Sequence, residues 1–371
     1  MDKKNKMIYE RSCFNVKDSS VNFIFALIIP FLASIVLFIA FMLIAALCGM
    51  SYKEFASTEF VKVVNLIFTP ITFFLIYYIY CRKKKIQVFK ASDIDLKVDW
   101  KMLLVVAVMS VVAIFFISPF VTLFNYGLSQ IGYNPSNDLP YVMNNWWRFI
   151  IGLLSMAVLP AFCEELLFRG LIYKGIEDKL GPHKAIAISA TMFMLLHGSL
   201  QQTVYQFILG ILLGYAMYYG KSIIYPMVLH CVNNLTVVIT SFVYTLKGLD
   251  TNVDPVYQNA WEYIYPILLL LFAGVLLVGL IHLLKRINSK NLAKQTALAT
   301  DDNATIVEDN ANIDNKNEIK KEKEESIDSS TNIIDSSKKL SKEELLYLWS
   351  SIGLSILLWL SNTIMQFLGL M

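Results

Sequence analysis

Charge is scarce in this chain. Asp, Glu, Lys and Arg make up only 16% of its 371 residues, against about a quarter in soluble domains. The net charge of +3 is too small and too scattered to make a nucleic-acid surface, so no nucleic-acid partner is expected. The five cysteines, Cys13, Cys48, Cys81, Cys163 and Cys231, form no CxxC pair and have no disulfide-scaffold spacing. They read as buried free thiols. No HExxH sets a metalloprotease site on one helix, and no GxSxG marks a serine nucleophile. Internal repeats are missing, which counts against a transporter built from inverted halves. Alternating apolar and polar residues, the mark of a membrane β-barrel, are missing too.

Apolar residues are what the chain has. They account for 56% of it, aromatics for 13%, and the mean hydropathy is +0.54. About 20 consecutive apolar residues cross a bilayer core as a helix, and the runs at 23–48, 63–80, 102–123, 149–173, 185–197, 204–219, 223–244, 264–284 and 345–370 predict spans. The fifth is short. The expected fold is all-α, a polytopic membrane bundle of about eight or nine transmembrane helices. Residues 1–20 are polar, and the apolar run after them is too long for a signal peptide, so it is expected to stay as a permanent span. Along the chain, a cytoplasmic tail at 1–20 leads into N-terminal membrane helices over 21–125. A membrane core over 141–247 follows, and then a further helix over 262–285. A polar, charged segment over 286–343 cannot bury enough apolar surface to fold, so it reads as a disordered cytoplasmic linker. Ser341 and Glu344 fit a capping box for the last helix, over 344–371.

Basic residues mark every second loop: Lys3, Lys4, Lys6, Arg11 and Lys17; Arg82 to Lys85; Lys174, Lys179 and Lys184; Lys221; and Lys285, Arg286 and Lys290. The positive-inside rule puts these loops and the N-terminus in the cytoplasm; Lys53 and Lys62, in an intervening loop, depart from the pattern. An integral membrane protein is expected. The abundance of Lys, Asn and Ile points to a bacterial plasma membrane. Trp146, Trp147 and Tyr141 suit an interfacial aromatic belt.

Against this background a few polar residues stand out. Glu164, Glu165 and Arg169 lie in the fourth run, His197 in the fifth, and His230, Asn233 and Asn234 in the seventh. An ionised side chain at bilayer depth costs several kcal/mol, about 2.5 or more, so such residues point to function. Glu165 and Arg169 are four apart and meet on one helix face. Glu164 is turned about 100° from Glu165 and is left to face the bundle interior. His230 and Asn234 share a face, and Asn233 lies off it. Counting from the basic loop residues at about 1.5 Å per residue, Glu164 lies about 15 Å deep, His230 about 14 Å and His197 about 20 Å. In a core of about 30 Å these depths predict one polar cavity.

Hydrolysis fits that cavity. A glutamate can take a proton from water, and His and Asn side chains can donate to a tetrahedral oxyanion. A metal reading stays open, since a glutamate with two histidines, here Glu164, His197 and His230, resembles a catalytic zinc shell. So does a structural one, in which Arg169 neutralises the glutamates and the histidines bond helix to helix. Cys163 and Cys231 point off the relevant faces. Phe193 reads as packing, and Gly210 and Gly214 as a close helix contact. His183 and His282 are poor candidates.

Glu164-Glu165-x-x-x-Arg169, Phe193-x-x-x-His197 and His230-x-x-x-Asn234 follow one another in separate membrane helices. In this they resemble the signature of the CAAX proteases and bacteriocin-processing or bacteriocin-immunity proteins, the CPBP or Abi family. The resemblance covers residues 149–238 and leaves the first two spans and the tail uncovered. It implies an intramembrane endopeptidase that cuts a peptide or lipidated peptide at the membrane. Glu164 is then the water-activating base, His197, His230 and Asn234 stabilise the oxyanion, and Glu165 and Arg169 support them. No cofactor is favoured; zinc or another divalent metal, as in a metalloendopeptidase, is the alternative. A second functional reading is a non-enzymatic immunity or scaffold protein that uses the same cavity.

Overall fold

The computed structural model describes residues 13–94, 98–133, 141–249, 257–309 and 339–368. All nine expected spans are helical: α1 Val16–Leu47, α2 Glu59–Lys83, α3 Trp100–Gln130, α4 Trp146–Leu180, α5 Pro182–Leu196, α6 Thr203–Gly220, α7 Ile224–Leu246, α8 Ala260–Asp309 and α9 Lys342–Phe367. Tyr52–Ala56 and Val88–Ala91 add short helical turns. The described residues contain no strand. Seven helices, all but α5 and α6, are long and apolar enough to cross a membrane, and the chain is an integral membrane protein.

The helix ends follow local chemistry. Asn15 and Asp18 make a capping box at the start of α1. Consequently α1 begins at Val16, inside the segment expected as a tail. Ser341 and Glu344 form the capping box foreseen for α9. Helix α8 runs beyond its apolar stretch to Asp309, so the segment expected as a disordered linker starts helical. Residues 310–338 of that linker lie outside the described residues, as do Lys3, Lys4, Lys6 and Arg11 of the basic N-terminus.

Helix α4 sits at the centre and packs against α1, α2, α5 and α7. Two π-helical turns interrupt it, at Leu153–Val158 and Phe168–Tyr173, with nine regular residues, Leu159–Leu167, between them. Pro160 explains the first interruption: it has no N–H to give and its ring crowds the carbonyl four residues back, which the wider turn relieves. Around α4, Ser19 Oγ of α1 donates to the Ile172 carbonyl at 2.9 Å, and Ser110 Oγ of α3 ties to the Leu229 carbonyl of α7 at 2.8 Å. At the end with the basic loops, Asp18 of α1 takes Lys84 Nζ at 2.6 Å and the Tyr80 hydroxyl of α2 at 2.5 Å. Asp99, just before α3, accepts from Asn291 of α8 at 2.9 Å. That bond, with the Lys101 amide, holds its carboxyl below the usual range. Helix α9 lies against α1 and α5, pinned by Lys17 Nζ to Glu343 at 2.7 Å.

Helix α5 has only 15 residues, about 22 Å at about 1.5 Å each. It is therefore shorter than a bilayer core of about 30 Å. Helices α5 and α6 cross closely because α6 offers glycine there. A Cβ on Gly210 would sit 2.9 Å from Ala190 Cα, and one on Gly214 would sit 2.8 Å from Ile186.

Tyr141 departs from expectation. It is 2% exposed and donates to Glu59 Oε2 at 3.1 Å, while Trp146 and Trp147 are 69% and 68% exposed. Tyr141 is thus packed inside, with its hydroxyl reaching out to the exposed Glu59, so of the three aromatics only the tryptophans present their rings to the surroundings as a belt requires.

The close α5–α6 crossing is testable. Gly210→Val should destabilise the detergent-solubilised protein by about 1–3 kcal/mol, the usual cost of overpacking; an unchanged thermal midpoint would show that the contact is dispensable.

Candidate active site

The four helices α4 to α7 each bring part of one polar cluster. The regular turn of α4 between its two π segments carries Glu164 and Glu165, and Arg169 lies at the start of the second π segment. Glu165 and Arg169 have no exposed surface at all. Arg169 Nη1 donates to Glu165 Oε1 at 3.0 Å, and Nη2 to the Gly210 carbonyl of α6 at 3.1 Å. The expected pair on one helix face is present, and it reaches a second helix.

His230 of α7 is also buried, and its Nδ1 lies 2.9 Å from the same Glu165 Oε1. The hydrogen bond of His230 thus goes to Glu165, a pairing that sequence reasoning did not make. Glu165 is shared between Arg169 and His230, so the second glutamate joins α4 to α7 as well as bracing its own helix. A π segment and a crossing angle set which face of α4 meets α7, and helical counting within one sequence does not contain either. Glu164 lies beside this pair, half-buried on the neighbouring face.

His197 ends α5 and is half-buried; its Nδ1 is 2.8 Å from the Phe193 carbonyl. A carbonyl only accepts, so the proton of this bond sits on Nδ1 and the ring turns Nε2 outward. Phe193, expected to be packing alone, is the wall that the polar groups share. Its fully buried ring meets the His197 ring at 4.8 Å and the His230 ring at 5.9 Å, both edge-on. The Arg169 guanidinium lies over it at 4.9 Å, a cation–π contact.

Asn234 is half-buried one turn beyond His230. Its neighbour Asn233 is buried, donates Nδ2–H to Asn234 Oδ1 at 3.1 Å, and accepts from the Tyr205 hydroxyl of α6 at 2.5 Å. Sequence reasoning missed Tyr205. The available signal was a phenol near the start of an apolar helix, because a buried Tyr hydroxyl usually finds a partner.

Among the described residues no three His, Cys, Asp or Glu side chains are grouped so as to hold a metal ion; the set Glu164, His197 and His230 is therefore not drawn together as a ligand shell. None of the five cysteines is in a disulfide. Cys81 and Cys163 are buried, Cys13 and Cys231 half-buried, and Cys48 exposed, so the buried-thiol reading fails for Cys48. His183 meets Tyr215 at 3.2 Å, and His282 is exposed on α8.

A loop glycine next to His197 meets the terminal helix. Gly198 has φ +61, and a Cβ there would lie 2.7 Å from Asn362 Nδ2 of α9. Gln366 of α9 accepts from the Tyr133 hydroxyl beyond the end of α3. The last helix thus reaches the loop that presents His197.

Fold and site together define a polytopic α-helical membrane protein with a buried Glu–Arg–His cluster at the junction of four helices. Residues 146–236 match the family model described as Type II CAAX prenyl endopeptidase Rce1-like. The matched segment takes in all three motifs and agrees with the CAAX-protease resemblance read from them. It supports a CAAX-type intramembrane endopeptidase in general, one that meets a peptide substrate and the lipid bilayer. No curated protein and no solved structure matches the chain.

Removing one partner of a buried ion pair strands the other. Arg169→Leu should cost about 3–5 kcal/mol of stability, and Arg169→Leu/Glu165→Leu should recover part of that loss. Equal destabilisation in single and double variants, by thermal or denaturant unfolding in detergent, would show that the charges are not paired in effect.

Proposed function

We propose that this protein is an intramembrane endopeptidase that hydrolyses a peptide bond in a membrane-associated or lipidated peptide. The observation that carries this reading is the meeting of α4, α5 and α7, each bearing one motif of the matched family, where His230 bonds to Glu165 and lies against the Phe193 ring.

In this mechanism Glu164 takes a proton from a water molecule, and the water oxygen adds to the scissile carbonyl carbon. The carbonyl π-bond electrons move to oxygen. As the tetrahedral intermediate collapses, the C–N bond breaks and Glu164 returns its proton to the departing amine. The hydrogen bonds distribute the other roles. His230 gives Nδ1 to Glu165, so Nε2 is the atom its ring offers to the substrate. As an imidazolium, with Glu165 as counter-ion, it donates Nε2–H to the oxyanion. Asn234 supplies a second donor, and one such donor is worth about 3 kcal/mol in known oxyanion sites. His197 has its Nδ1 proton committed to Phe193, so neutral His197 presents a lone pair on Nε2. That suits it to accept a hydrogen from the attacking water beside Glu164, a change from the oxyanion role that the resemblance implies. Glu165 and Arg169 hold the frame.

No step is routed through a metal. A bound ion would polarise the carbonyl or the water, and Glu164, His197 and His230 are the residues that would have to move together to hold it. The N-terminus and the basic loops face the cytoplasm in this reading, by the positive-inside distribution.

The test uses purified protein in liposomes with an internally quenched, farnesylated CAAX peptide, alongside a comparison of membrane peptides from wild-type and Glu164→Ala cells. Glu164→Ala and His230→Ala should each lower cleavage at least about 100-fold, since general base and oxyanion donor contribute about that much. Both variants should still insert; Glu164→Ala should melt with the wild type, while His230→Ala, which takes a partner from buried Glu165, should melt lower. Cleavage retained in both would sink the reading, and loss of wild-type cleavage on adding a chelator would overturn the metal-free mechanism.

A further inference from the structure

Among the hydrogen bonds of the site, one chain of three side chains has a direction. Tyr205 Oη donates to Asn233 Oδ1 at 2.5 Å, and Asn233 Nδ2 donates to Asn234 Oδ1 at 3.1 Å. We infer that Tyr205 and Asn233 are positioning residues that set which end of the Asn234 amide faces the reacting carbonyl. The inference rests on Asn234 being an oxyanion donor.

The physical reason is that an amide is polar and can be turned end for end. With NH2 towards the cavity, Asn234 stabilises a developing oxyanion; with Oδ1 towards it, Asn234 repels the same charge. Nothing on α7 alone chooses between these. Asn233 is about 100° from Asn234 around the helix, so it faces α6 while Asn234 shares the face of His230. The Asn233 amide could also run in either direction. Turned over, it would accept from Asn234 Nδ2, leave the Asn234 oxygen towards the substrate, and give its own NH2 to Tyr205.

Tyr205 breaks the tie. Its hydroxyl carries a proton that needs an acceptor in a half-buried place, and Asn233 Oδ1 is that acceptor. With Oδ1 so occupied, Asn233 presents NH2 to Asn234, whose Oδ1 is then used and whose NH2 is left for the cavity. Two bonds from the chemistry, one phenolic proton fixes the polarity of the donor. The placement of Tyr205 suits this: it lies three residues after Gln202, in the first turn of α6 and just past the loop that presents His197. Asn233 is 3% exposed, so water does not compete for its amide.

The experiment is a set of variants in the cleavage assay above, each first shown to melt with the wild type. Tyr205→Phe keeps the ring and removes the proton donor. It should lower kcat about tenfold, the scale of one hydrogen bond, with little change in KM. In an Asn234→Ala background the same substitution should have no further effect, because its route to the substrate is gone. Asn233→Asp gives the stronger test of direction. A carboxylate has no N–H to give, so Asn234 must turn its NH2 to residue 233 and its oxygen to the cavity. Activity should fall as far as in Asn234→Ala, whereas Asn233→Gln, which keeps both ends of the amide, should retain more.

Full activity in Tyr205→Phe or in Asn233→Asp would overturn the relay. So would a Tyr205→Phe loss that adds in full to that of Asn234→Ala, since Tyr205 would then act by another route. Full activity in Asn234→Ala is a different result: it removes the oxyanion role itself and with it the relay's purpose. Loss in Asn234→Ala beside full activity in Tyr205→Phe leaves the oxyanion role standing and sinks the relay alone.

Discussion

Glu165 and Arg169 are buried without any exposed surface, and the rest of the site depends on how that is made tolerable. An isolated charge in so apolar a place would cost several kcal/mol even after relaxation. Three neighbouring helices therefore contribute to the pair: α5 the face of Phe193, α6 the Gly210 carbonyl, α7 the imidazole of His230. Pulling any of these helices away would leave a charged or hydrogen-bonding atom unanswered. Arginine suits this position for a geometric reason. Its planar fork sends one nitrogen along its own helix and another across to α6, which the point charge of a lysine does not do with the same definition. The result is a junction whose alignment is enforced by electrostatics. Glu164, one residue away, inherits that alignment.

Such rigidity gives Glu164 its different character. It is adjacent in sequence to a residue locked by two partners, yet it lies half-buried on the next face of the helix. Two carboxylates thus occupy different environments a single residue apart, one fully buried and bonded to Arg169 and His230, the other half-buried. The π segments on either side of Leu159–Leu167 contribute to this. Such wide turns commonly occur at functional sites, and here they alter the rotation of the short regular stretch relative to the helices around it.

Much of the fold was legible in the sequence because membrane helices announce themselves by length and hydropathy, and all nine runs became helices. The motif residues were legible for a related reason: polar groups at bilayer depth are costly, so Glu164, Glu165, Arg169, His197, His230 and Asn234 stood out against their surroundings. Glu165 with Arg169 could be paired from their spacing, since both lie on one helix. Pairing His230 with Glu165 could not, because that bond depends on the crossing of α4 with α7 and on a non-standard turn. Tyr205 was hidden for a chemical reason. A tyrosine is apolar over most of its surface and looks at home in a membrane helix; only its hydroxyl, once placed opposite Asn233, shows a polar role. Tyr141 misled in the same way, as its hydroxyl found Glu59.

The short α5–α6 hairpin completes the physical picture. Had α5 continued for another two turns, His197 would stand in the middle of a helix, with its ring held among helix side chains. Ending at Leu196 instead puts His197 at a helix terminus, where its Nδ1 can still bond one turn back to Phe193 while the following chain turns away. Gly198 makes that turn with a positive φ that other residues rarely adopt, and α9 closes over it through Asn362. The terminal helix lies outside the matched segment of 146–236, yet it bounds the loop that presents a motif histidine. Constraint on His197 therefore comes from both parts of the chain: its hydrogen bond from the motif helix, and the wall behind its loop from a helix more than 140 residues later.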